Sequence, residues 1–208
     1  MNMIQEWPPC QIFYLESLRT ITNSAITSFE RLIAQSEANE EMKLSQSHFL
    51  DEVQNIIQQG AAISRYFWPS RNKDGIKNRI FDSRARFLRD YFDVGDSSPL
   101  KDRRVRNAIE HFDERLDLYL QTPISGNFFP NYIGDKPKTD RVIYKFFRAF
   151  FTDTQEFEIL GESFPIQPLI DEIFRINECV RLDLQNGGVM RKEATEEATE
   201  SLIESIKK

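Results

Sequence analysis

Apolar residues recur at helical spacing through most of the first 120 positions. The series over residues 11–36 predicts one long amphipathic helix. Its inward positions are Phe13, Leu15, Leu18, Ile21, Ala25, Phe29, Leu32 and Ile33. Pro8 and Pro9 place the start of this helix after them, since tandem prolines do not fit a helix interior. A second series over residues 49–68 predicts a second helix, which ends before Pro69.

Two further helices are expected before residue 122. Residues 77–92 predict a third helix with these side chains inward: Ile80, Phe81, Phe87, Leu88 and Tyr91. Ser98 followed by Pro99 is a typical helix start, with serine as N-cap and proline at the first helical position. The fourth helix should therefore run from Ser98 to about residue 121, where Thr122-Pro123 stops it.

The pattern changes after Pro123. Residues 142–150 and 156–160 are β-branched and aromatic and predict a small hairpin, although residues 144–148 fit a helical turn equally well. Residues 167–185 predict a fifth helix that ends at Asn186-Gly187-Gly188. We therefore expect a mainly α protein, an antiparallel helical bundle with a β hairpin inserted before the last helix. Residues 1–185 form the predicted domain, with the β element at about residues 140–162, and residues 186–208 form an acidic frayed or disordered tail.

Composition excludes several classes of protein. The chain has 208 residues, 40% hydrophobic, and a formal charge of −6, which argues against global disorder and against a uniformly basic nucleic-acid binder. Cys10 and Cys179 lie far apart in sequence, so neither a cysteine zinc site nor a disulfide scaffold is expected. The N-terminus lacks a secretory signal pattern, and the most apolar stretch, residues 142–151, is too short to span a bilayer. These features predict a soluble cytoplasmic protein that makes no membrane contact.

The predicted fourth helix concentrates residues suited to proton transfer and phosphate binding. His111 is one of two histidines in the chain, and Asn107 lies one helical turn before it. Arg104, Arg106 and Arg115 are within reach on the same helix. Histidine exchanges protons near neutral pH, and arginine is a permanently charged fork for phosphate oxygens.

Residues 106–111, Arg-Asn-Ala-Ile-Glu-His, resemble the R-[N/D/H]-x-x-x-H signature of the HEPN superfamily (higher eukaryotes and prokaryotes nucleotide-binding domains). Residues 61–69 and 110–117 are also similar to a group of bacterial HEPN-like proteins. The resemblance covers about residues 11–121. It implies an all-α bundle and a metal-independent endoribonuclease without a cofactor, of the kind found in toxin–antitoxin, CRISPR and antiphage systems. It also implies a homodimer in which two motifs form one composite site.

The resemblance assigns a role to each residue of the motif. His111 is the expected general acid or base, Arg106 the group that stabilises the transition state, and Asn107 the group that orients His111 or the phosphate. The expected partners are RNA, with tRNA as one candidate, a second copy of the chain, and an antitoxin or other defence protein.

A local basic region supports RNA binding. Residues 65–106 contain 12 lysines and arginines against 6 aspartates and glutamates. Positive charge of this kind is the electrostatic footprint of a backbone binder. The candidate RNA-binding residues are Arg84, Arg86, Arg89, Lys101, Arg103 and Arg104. Residues 66–68, Tyr-Phe-Trp, are candidates for a base-stacking platform.

Each of these features has an alternative interpretation. Glu110, Asp113, Glu114 and Asp117 surround His111, repel phosphate and favour an imidazolium, which is a good acid and a poor base. The arginines of the third helix alternate with Asp82, Asp90 and Asp93, as on a salt-bridged, solvated helix face. Residues 66–68 are typical of helix-end packing. If these alternative interpretations hold, the chain is a catalytically inactive HEPN module that binds a protein or a nucleotide.

Overall fold

The computed structural model describes residues 8–36, 45–71, 73–102, 104, 112–121, 126–138 and 142–190. The described elements, in chain order, are α1 (Pro8–Ser36), α2 (Gln46–Phe67), α3 (Gly75–Phe92), a 3-10 turn (Pro99–Lys101), α4 (Phe112–Leu120), β1 (Asn127–Gly134), β2 (Tyr144–Phe151), β3 (Glu156–Ile159), β4 (Glu162–Pro165) and α5 (Ile166–Gln185). The predicted mainly α class is confirmed, with a small sheet between α4 and α5.

Local sequence sets the helix ends. Pro8 and Pro9 form the first turn of α1 rather than preceding the helix, so the expected start at residue 11 was wrong. The backbone N–H groups of the first helical turn have no acceptor within the helix, so a proline, which lacks this N–H, loses no hydrogen bond there. Asp74 caps α3 by accepting hydrogen bonds from the backbone N–H groups of Ile76 and Lys77 at 2.8 and 3.3 Å. A cap of this type places the start of α3 just after the aspartate.

The main core lies where α1 packs against both α2 and α5. Apolar residues on the inward stripes of these helices are almost completely buried: Leu15, Leu18, Leu50, Ile56, Ile63, Ile173 and Ile176. Burying each such side chain contributes about 1.5–3 kcal/mol. The helical periodicity therefore identified most of the core-facing stripes of α1, α2 and α5. The expectation was wrong for Phe13 and Ile33 of α1, which are 76% and 47% exposed.

Helix α3 is only half buried along its length. Its buried residues, Ala85, Leu88, Tyr91 and Phe92, all belong to its C-terminal half. Ile80, which the periodicity placed inward, is 62% exposed. The expectation for Ile80 was wrong because the N-terminal half of α3 lies at the surface.

The sheet has the strand order β1-β2-β3-β4. β2 and β3 pair antiparallel, as the predicted hairpin requires, so the helical-turn alternative for residues 144–148 is wrong. β4 extends the sheet antiparallel to β3. β1 lies parallel to β2, with Asn127 opposite Tyr144, and was not predicted. Pro130 is tolerated in β1 because an edge strand has one unpaired side.

Arg148 connects the sheet to the bundle. It lies on β2 and is 9% exposed. Its guanidinium donates hydrogen bonds to Asp51 and to Gln54 of α2, the latter at 3.1 Å, and to Asn131 of β1 at 3.0 Å. One buried cation therefore fixes α2, β1 and β2 relative to one another.

The chain that follows α5 returns to α1. Met190 is 9% exposed, and its backbone N–H donates to the Gln11 side-chain oxygen at 2.8 Å. Gly188 has a φ of +73° and lies against Ile12, where a Cβ would be 3.1 Å from that side chain. The described part of the predicted tail is thus packed on α1, and residues 191–208 lie outside the described residues.

Candidate functional site

The predicted catalytic residues lie outside the described part of the chain. Arg106, Asn107 and His111, and the candidate RNA-binding residue Arg103, belong to positions 103 and 105–111. The structure describes both flanks of this motif segment, Arg104 on one side and Phe112 on the other. The site is therefore built from what holds these two flanks and from the surface beside them.

The flank before the motif is anchored to α5. Leu100, in the 3-10 turn, is 2% exposed. Ser98 caps the turn by accepting from the Leu100 N–H at 3.3 Å, and its hydroxyl donates to Glu172 at 2.8 Å. Arg175 donates to Glu172 at 2.8 Å and to the Phe92 carbonyl oxygen at 2.6 Å. These contacts fix the point from which the chain enters the motif segment.

The carboxylate of Glu172 stabilises the charged form of Arg175 in this anchor. Burial acts to lower the pKa of Arg175, but the hydrogen bond and the negative charge of Glu172 outweigh it and hold the pKa above its ordinary value. Arg175 is thus a charged group that is hydrogen-bonded both to Glu172 and to the Phe92 carbonyl oxygen.

Arg104 is hydrogen-bonded to Asp102, two residues before it in the chain. Its backbone N–H donates to Asp102 at 2.9 Å, and its guanidinium donates to both oxygens of the same carboxylate, at 2.6 Å for the shortest contact. Burial acts to raise the pKa of Asp102, but the hydrogen bonds and charge of Arg104 hold it below the usual range. An RNA phosphate would compete with Asp102 for this arginine.

The flank after the motif rests on the sheet. Phe112 meets Phe147 edge to face, with ring centroids 5.7 Å apart. Arg115 forms an ion pair with Glu162 of β4 at 2.9 Å. Arg115, which the sequence placed within reach of His111, is therefore paired with the sheet.

Two of the candidate RNA-binding arginines hold the end of α2. Arg84 donates to the Arg65 carbonyl oxygen at 3.0 Å, and Arg89 donates to the Phe67 carbonyl oxygen. The last carbonyls of a helix lack partners within the helix and carry its negative dipole end, so cations there are stabilising. The Arg89 guanidinium also lies 5.8 Å from the Trp68 ring centroid. Both arginines stabilise the α2–α3 corner.

The other basic candidates differ in their surroundings. Lys101 pairs with Asp96 at 2.8 Å, and this hydrogen bond, with the charge of Lys101, lowers the pKa of Asp96. Arg86 is exposed and has no hydrogen-bond or ion-pair partner within the described ranges. Asp82 pairs with Arg71 at 3.2 Å rather than with an arginine of its own helix. The salt-bridged-face interpretation of α3 therefore does not describe Arg84 or Arg89, whose partners are carbonyls and rings.

A surface cleft of about 680 Å³ opens beside the end of α2, and we name it the α2-end cleft. Its lining comes from α1, from the end of α2 and the residues after it, and from α3. It comprises Tyr14, Ile21, Ala62, Arg65, Tyr66, Pro69, Ser70, Arg71, Phe81 and Arg84. Four of these residues were not predicted as site residues: Tyr14, Arg65, Arg71 and Phe81. The sequence signal that could have identified this cleft is the occurrence of arginines and aromatic residues close to Pro69 in the chain.

The candidate stacking platform, residues 66–68, divides between two environments. Phe67 is completely buried and Trp68 packs against it, with ring centroids 6.0 Å apart, which confirms the helix-end packing interpretation for these two residues. Tyr66 instead lines the α2-end cleft, where its hydroxyl is hydrogen-bonded to Ser17 and its ring meets Tyr14 edge to face at 6.4 Å. Of the three aromatic residues, Tyr66 is the one on this cleft.

A second depression, of about 600 Å³, adjoins the cleft. Trp68 lines it together with Ser98, Lys101 and Asp102. Trp68 lines this depression and the next residue, Pro69, lines the α2-end cleft. The two depressions therefore lie side by side at the end of α2. The residues that lead into the motif segment therefore line a depression that contains one lysine, Lys101, and two aspartates, Asp96 and Asp102.

The described residues contain neither a cluster suited to metal binding nor a helix suited to spanning a membrane. In the described ranges, no three or more histidine, cysteine, aspartate or glutamate side chains are grouped so as to hold a metal ion. No described helix combines the length and the apolar character needed to cross a membrane.

Comparison of the chain with protein-family models, with curated proteins and with solved structures found no match.

Proposed function

We propose that this chain is a metal-independent endoribonuclease of the HEPN type, with Arg106, Asn107 and His111 as its catalytic residues. The observation that supports the proposal is that Lys101 and Asp102, the described residues that lead into the motif segment, line a depression at the end of α2. The mainly α bundle is compatible with the resemblance of residues 106–111 to the family signature. A cytoplasmic toxin or antiphage effector is the biological role that this activity fits.

The proposed reaction needs no metal. His111 as general base removes the proton of a ribose 2′-hydroxyl, and the oxygen attacks the adjacent phosphorus. The bond to the 5′-oxygen of the next nucleotide breaks, and His111 of a second copy protonates that oxygen. The products are a 2′,3′-cyclic phosphate and a 5′-hydroxyl. Arg106 neutralises the charge that develops on the phosphate oxygens, and Asn107 orients the imidazole.

The described surface supplies a limited set of RNA contacts. Arg86, Lys101 and Arg104 are exposed, whereas Arg84 and Arg89 donate to the end of α2. We therefore assign phosphate binding outside the motif to Arg86, Lys101 and Arg104. Lys101 and Arg104 exchange Asp96 and Asp102 for RNA phosphates on binding.

The test of the function is cleavage of total RNA by matched arginine variants. Arg106→Ala should abolish cleavage while the circular dichroism spectrum stays unchanged. Arg181→Ala is the control, since Arg181 is an exposed arginine on α5 whose ion pair with Glu178 is remote in sequence from the motif. Full cleavage by a folded Arg106→Ala protein would contradict the proposal.

A second candidate function is a non-catalytic HEPN module that binds a nucleotide or a protein. The engagement of Arg84, Arg89, Lys101 and Arg104 with internal partners favours it, because these cations are then less available to RNA. Its signature is binding without turnover, together with a His111→Ala variant that melts at lower temperature. Sedimentation also discriminates, since a strict monomer at micromolar concentration is incompatible with a composite two-motif site.

A further inference from the structure

Helix α3 carries an exposed apolar stripe along its N-terminal half. Ile76 and Ile80, one helical turn apart, are 63% and 62% exposed, and Phe87 continues the same face where α3 meets the core. We name Ile76, Ile80 and Phe87 the α3 stripe. Full burial of one such side chain is worth about 1.5–3 kcal/mol, so neighbouring apolar side chains that stay in water are typical of a contact surface.

Cations flank the α3 stripe. Lys77, Arg79 and Arg86 are exposed, and none of these three side chains has an ion-pair partner within the described ranges. The two carboxylates nearest in sequence to the N-terminal part of the stripe are already engaged. Asp74 accepts from the first backbone N–H groups of α3, and Asp82 pairs with an arginine outside the helix. A partner for this face therefore has to be both apolar and acidic.

The described part of the chain ends close to this face. Met190 is the last described residue, and its backbone N–H donates to the Gln11 side chain of α1 at 2.8 Å. Tyr14, one helical turn beyond Gln11, lines the α2-end cleft together with Phe81, the neighbour of Ile80 in α3. Residues 191–208 therefore start across one cleft from the α3 stripe. A segment of this length reaches about 27 Å as a helix and about 60 Å when extended, which is enough to cross the cleft.

The composition of residues 191–208 matches the α3 stripe and its flanking cations. Residues 193–204 contain five glutamates and no lysine or arginine. Apolar residues recur at every fourth position: Ala194, Ala198, Leu202 and Ile206. Spacing of this kind is typical of one face of an amphipathic helix. The segment therefore offers both the acidic and the apolar groups that the exposed face of α3 needs.

We propose that residues 191–208 bind to the α3 stripe of the same chain, with their apolar residues against the stripe and their glutamates beside Lys77, Arg79 and Arg86. Covalent attachment favours this pairing, because a segment held by a short link has an effective concentration of about 1 mM at its site. The bound segment covers Arg86 and therefore competes with RNA for that arginine. This competition rests on the proposed function, whereas binding of the segment to the stripe does not.

Amide hydrogen exchange in the full-length protein tests this contact. An unbound segment exchanges at the rate of an unfolded chain, so we expect residues 198–206 to exchange about tenfold or more slowly than that rate in the wild type. The protection should be independent of protein concentration and should weaken at high salt, which screens exposed charges. Protection that rises with protein concentration would show that the segment binds a second copy, and would overturn the proposal.

Variants of α3 locate the contact. Ile80→Asp places a carboxylate on the stripe and Arg79→Glu reverses a flanking charge, so in each the protection of residues 198–206 should be lost. Because both positions are exposed, the circular dichroism spectra should match that of the wild type. Leu118→Asp is the matched control, since Leu118 is 65% exposed on α4 and lies outside the stripe, and it should leave the protection unchanged. The proposal is overturned if the segment exchanges freely in the wild type, or if its protection survives in both α3 variants.

The competition with RNA is measured separately, by fluorescence anisotropy. A variant with both Leu202→Asp and Ile206→Asp should release Arg86 and bind RNA several-fold more tightly than the wild type. Unchanged RNA affinity in this variant would contradict the competition. Absence of RNA binding in every protein would count against the proposed function alone, because the exchange result does not depend on RNA.

Discussion

The hydroxyl of Tyr91 on α3 lies 2.8 and 2.7 Å from the two carboxylate oxygens of Asp183 on α5. Asp183 has no exposed surface, and Tyr91 is 7% exposed. Burying a carboxylate costs free energy unless it is hydrogen-bonded. The Tyr91 hydroxyl therefore offsets the cost of burying Asp183, and the contact joins α3 to α5. The same end of α3 leads into the loop and 3-10 turn before the motif segment.

Removal of the Tyr91 hydroxyl should destabilise the fold. Tyr91→Phe takes one donor from a completely buried carboxylate, and we expect the free energy of unfolding to fall by about 1–3 kcal/mol in urea titrations. Tyr132→Phe is the control, because the Tyr132 hydroxyl donates to the exposed Asp135 carbonyl oxygen at 2.8 Å. That change should stay within about 0.5 kcal/mol. Equal effects of the two substitutions would show that burial of Asp183 does not matter.

The arginines of α3 should divide into a structural and a binding group. Arg89→Ala removes the donor to the Phe67 carbonyl oxygen and the contact with Trp68, so we expect about 1–3 kcal/mol of lost stability in thermal or urea unfolding. Arg86→Ala removes an exposed side chain and should leave stability unchanged but weaken RNA binding, measured by fluorescence anisotropy. A stable Arg89→Ala protein, or RNA affinity indifferent to Arg86→Ala, would contradict this division.

Gly126 should be irreplaceable at the start of β1. Its φ is +144°, and a Cβ there would lie 2.2 Å from the Ile143 carbonyl oxygen, the same oxygen that accepts from the Asn127 N–H. Gly126→Ala should therefore destabilise the protein by about 1–3 kcal/mol. Gly95→Ala provides the comparison, since nothing lies within 4 Å of a Cβ there. Similar melting temperatures for the two variants would mean that the close approach of β1 and β2 is not required.

Two glutamates should affect the pH dependence of stability with opposite signs. Burial raises the pKa of Glu158, although hydrogen bonding by Ser163 opposes the shift. The native state then holds more protons than the unfolded state between the ordinary and the raised pKa, so stability falls as pH rises through that window. Glu158→Gln should remove this slope and stabilise the protein at neutral pH, as measured by melting temperature across the acid-to-neutral range.

Glu178 provides the opposite case. The hydrogen bond from Arg181 lowers the pKa of Glu178, which contributes stability above its ordinary pKa that is lost as pH falls through the lowered value. Glu178→Gln should therefore reduce stability at neutral pH. If both glutamine variants shift stability in the same direction at neutral pH, the assignment of one of these shifts is wrong.

Helical periodicity was sufficient to locate α1, α2, α3 and α5. The expectation of one continuous fourth helix over residues 98–121 was wrong, because the 3-10 turn ends at Asp102, whose backbone is extended. Periodicity predicted the ends of α2, α3 and α5 within a few residues because caps, prolines and apolar stripes are local signals. It failed at Ile80, since periodicity defines a stripe along a helix but not how much of that stripe another element covers. The start of α1 was misplaced because a proline is unfavourable in a helix interior but not in its first turn.

The parallel pairing of β1 with β2 could not be read from local pattern. Residues 127–134 contain Pro130 and two asparagines, which are typical of a turn, and their pairing with residues 144–151 is non-local. β2 and β3 were predictable because a short turn joins two β-rich runs.

The α2-end cleft escaped prediction for a similar reason. Its lining comes from α1, from α2 with the residues after it, and from α3, and only the fold brings Tyr14, Arg71 and Phe81 together. The RNA-binding set was read from charge alone. Charge does not reveal that Arg84 and Arg89 donate to the carbonyls of α2. The assignment of Arg106, Asn107 and His111 stays a prediction from the resemblance.

The most direct test of the central claim is incubation of the purified protein with total RNA and tRNA in EDTA, wild type beside His111→Ala. Both proteins should first be shown to have the same circular dichroism spectrum. We predict that the wild type cleaves RNA in the chelator and leaves 2′,3′-cyclic phosphate ends, and that His111→Ala does not cleave. Cleavage by both folded proteins, or wild-type cleavage that EDTA abolishes, would contradict the account.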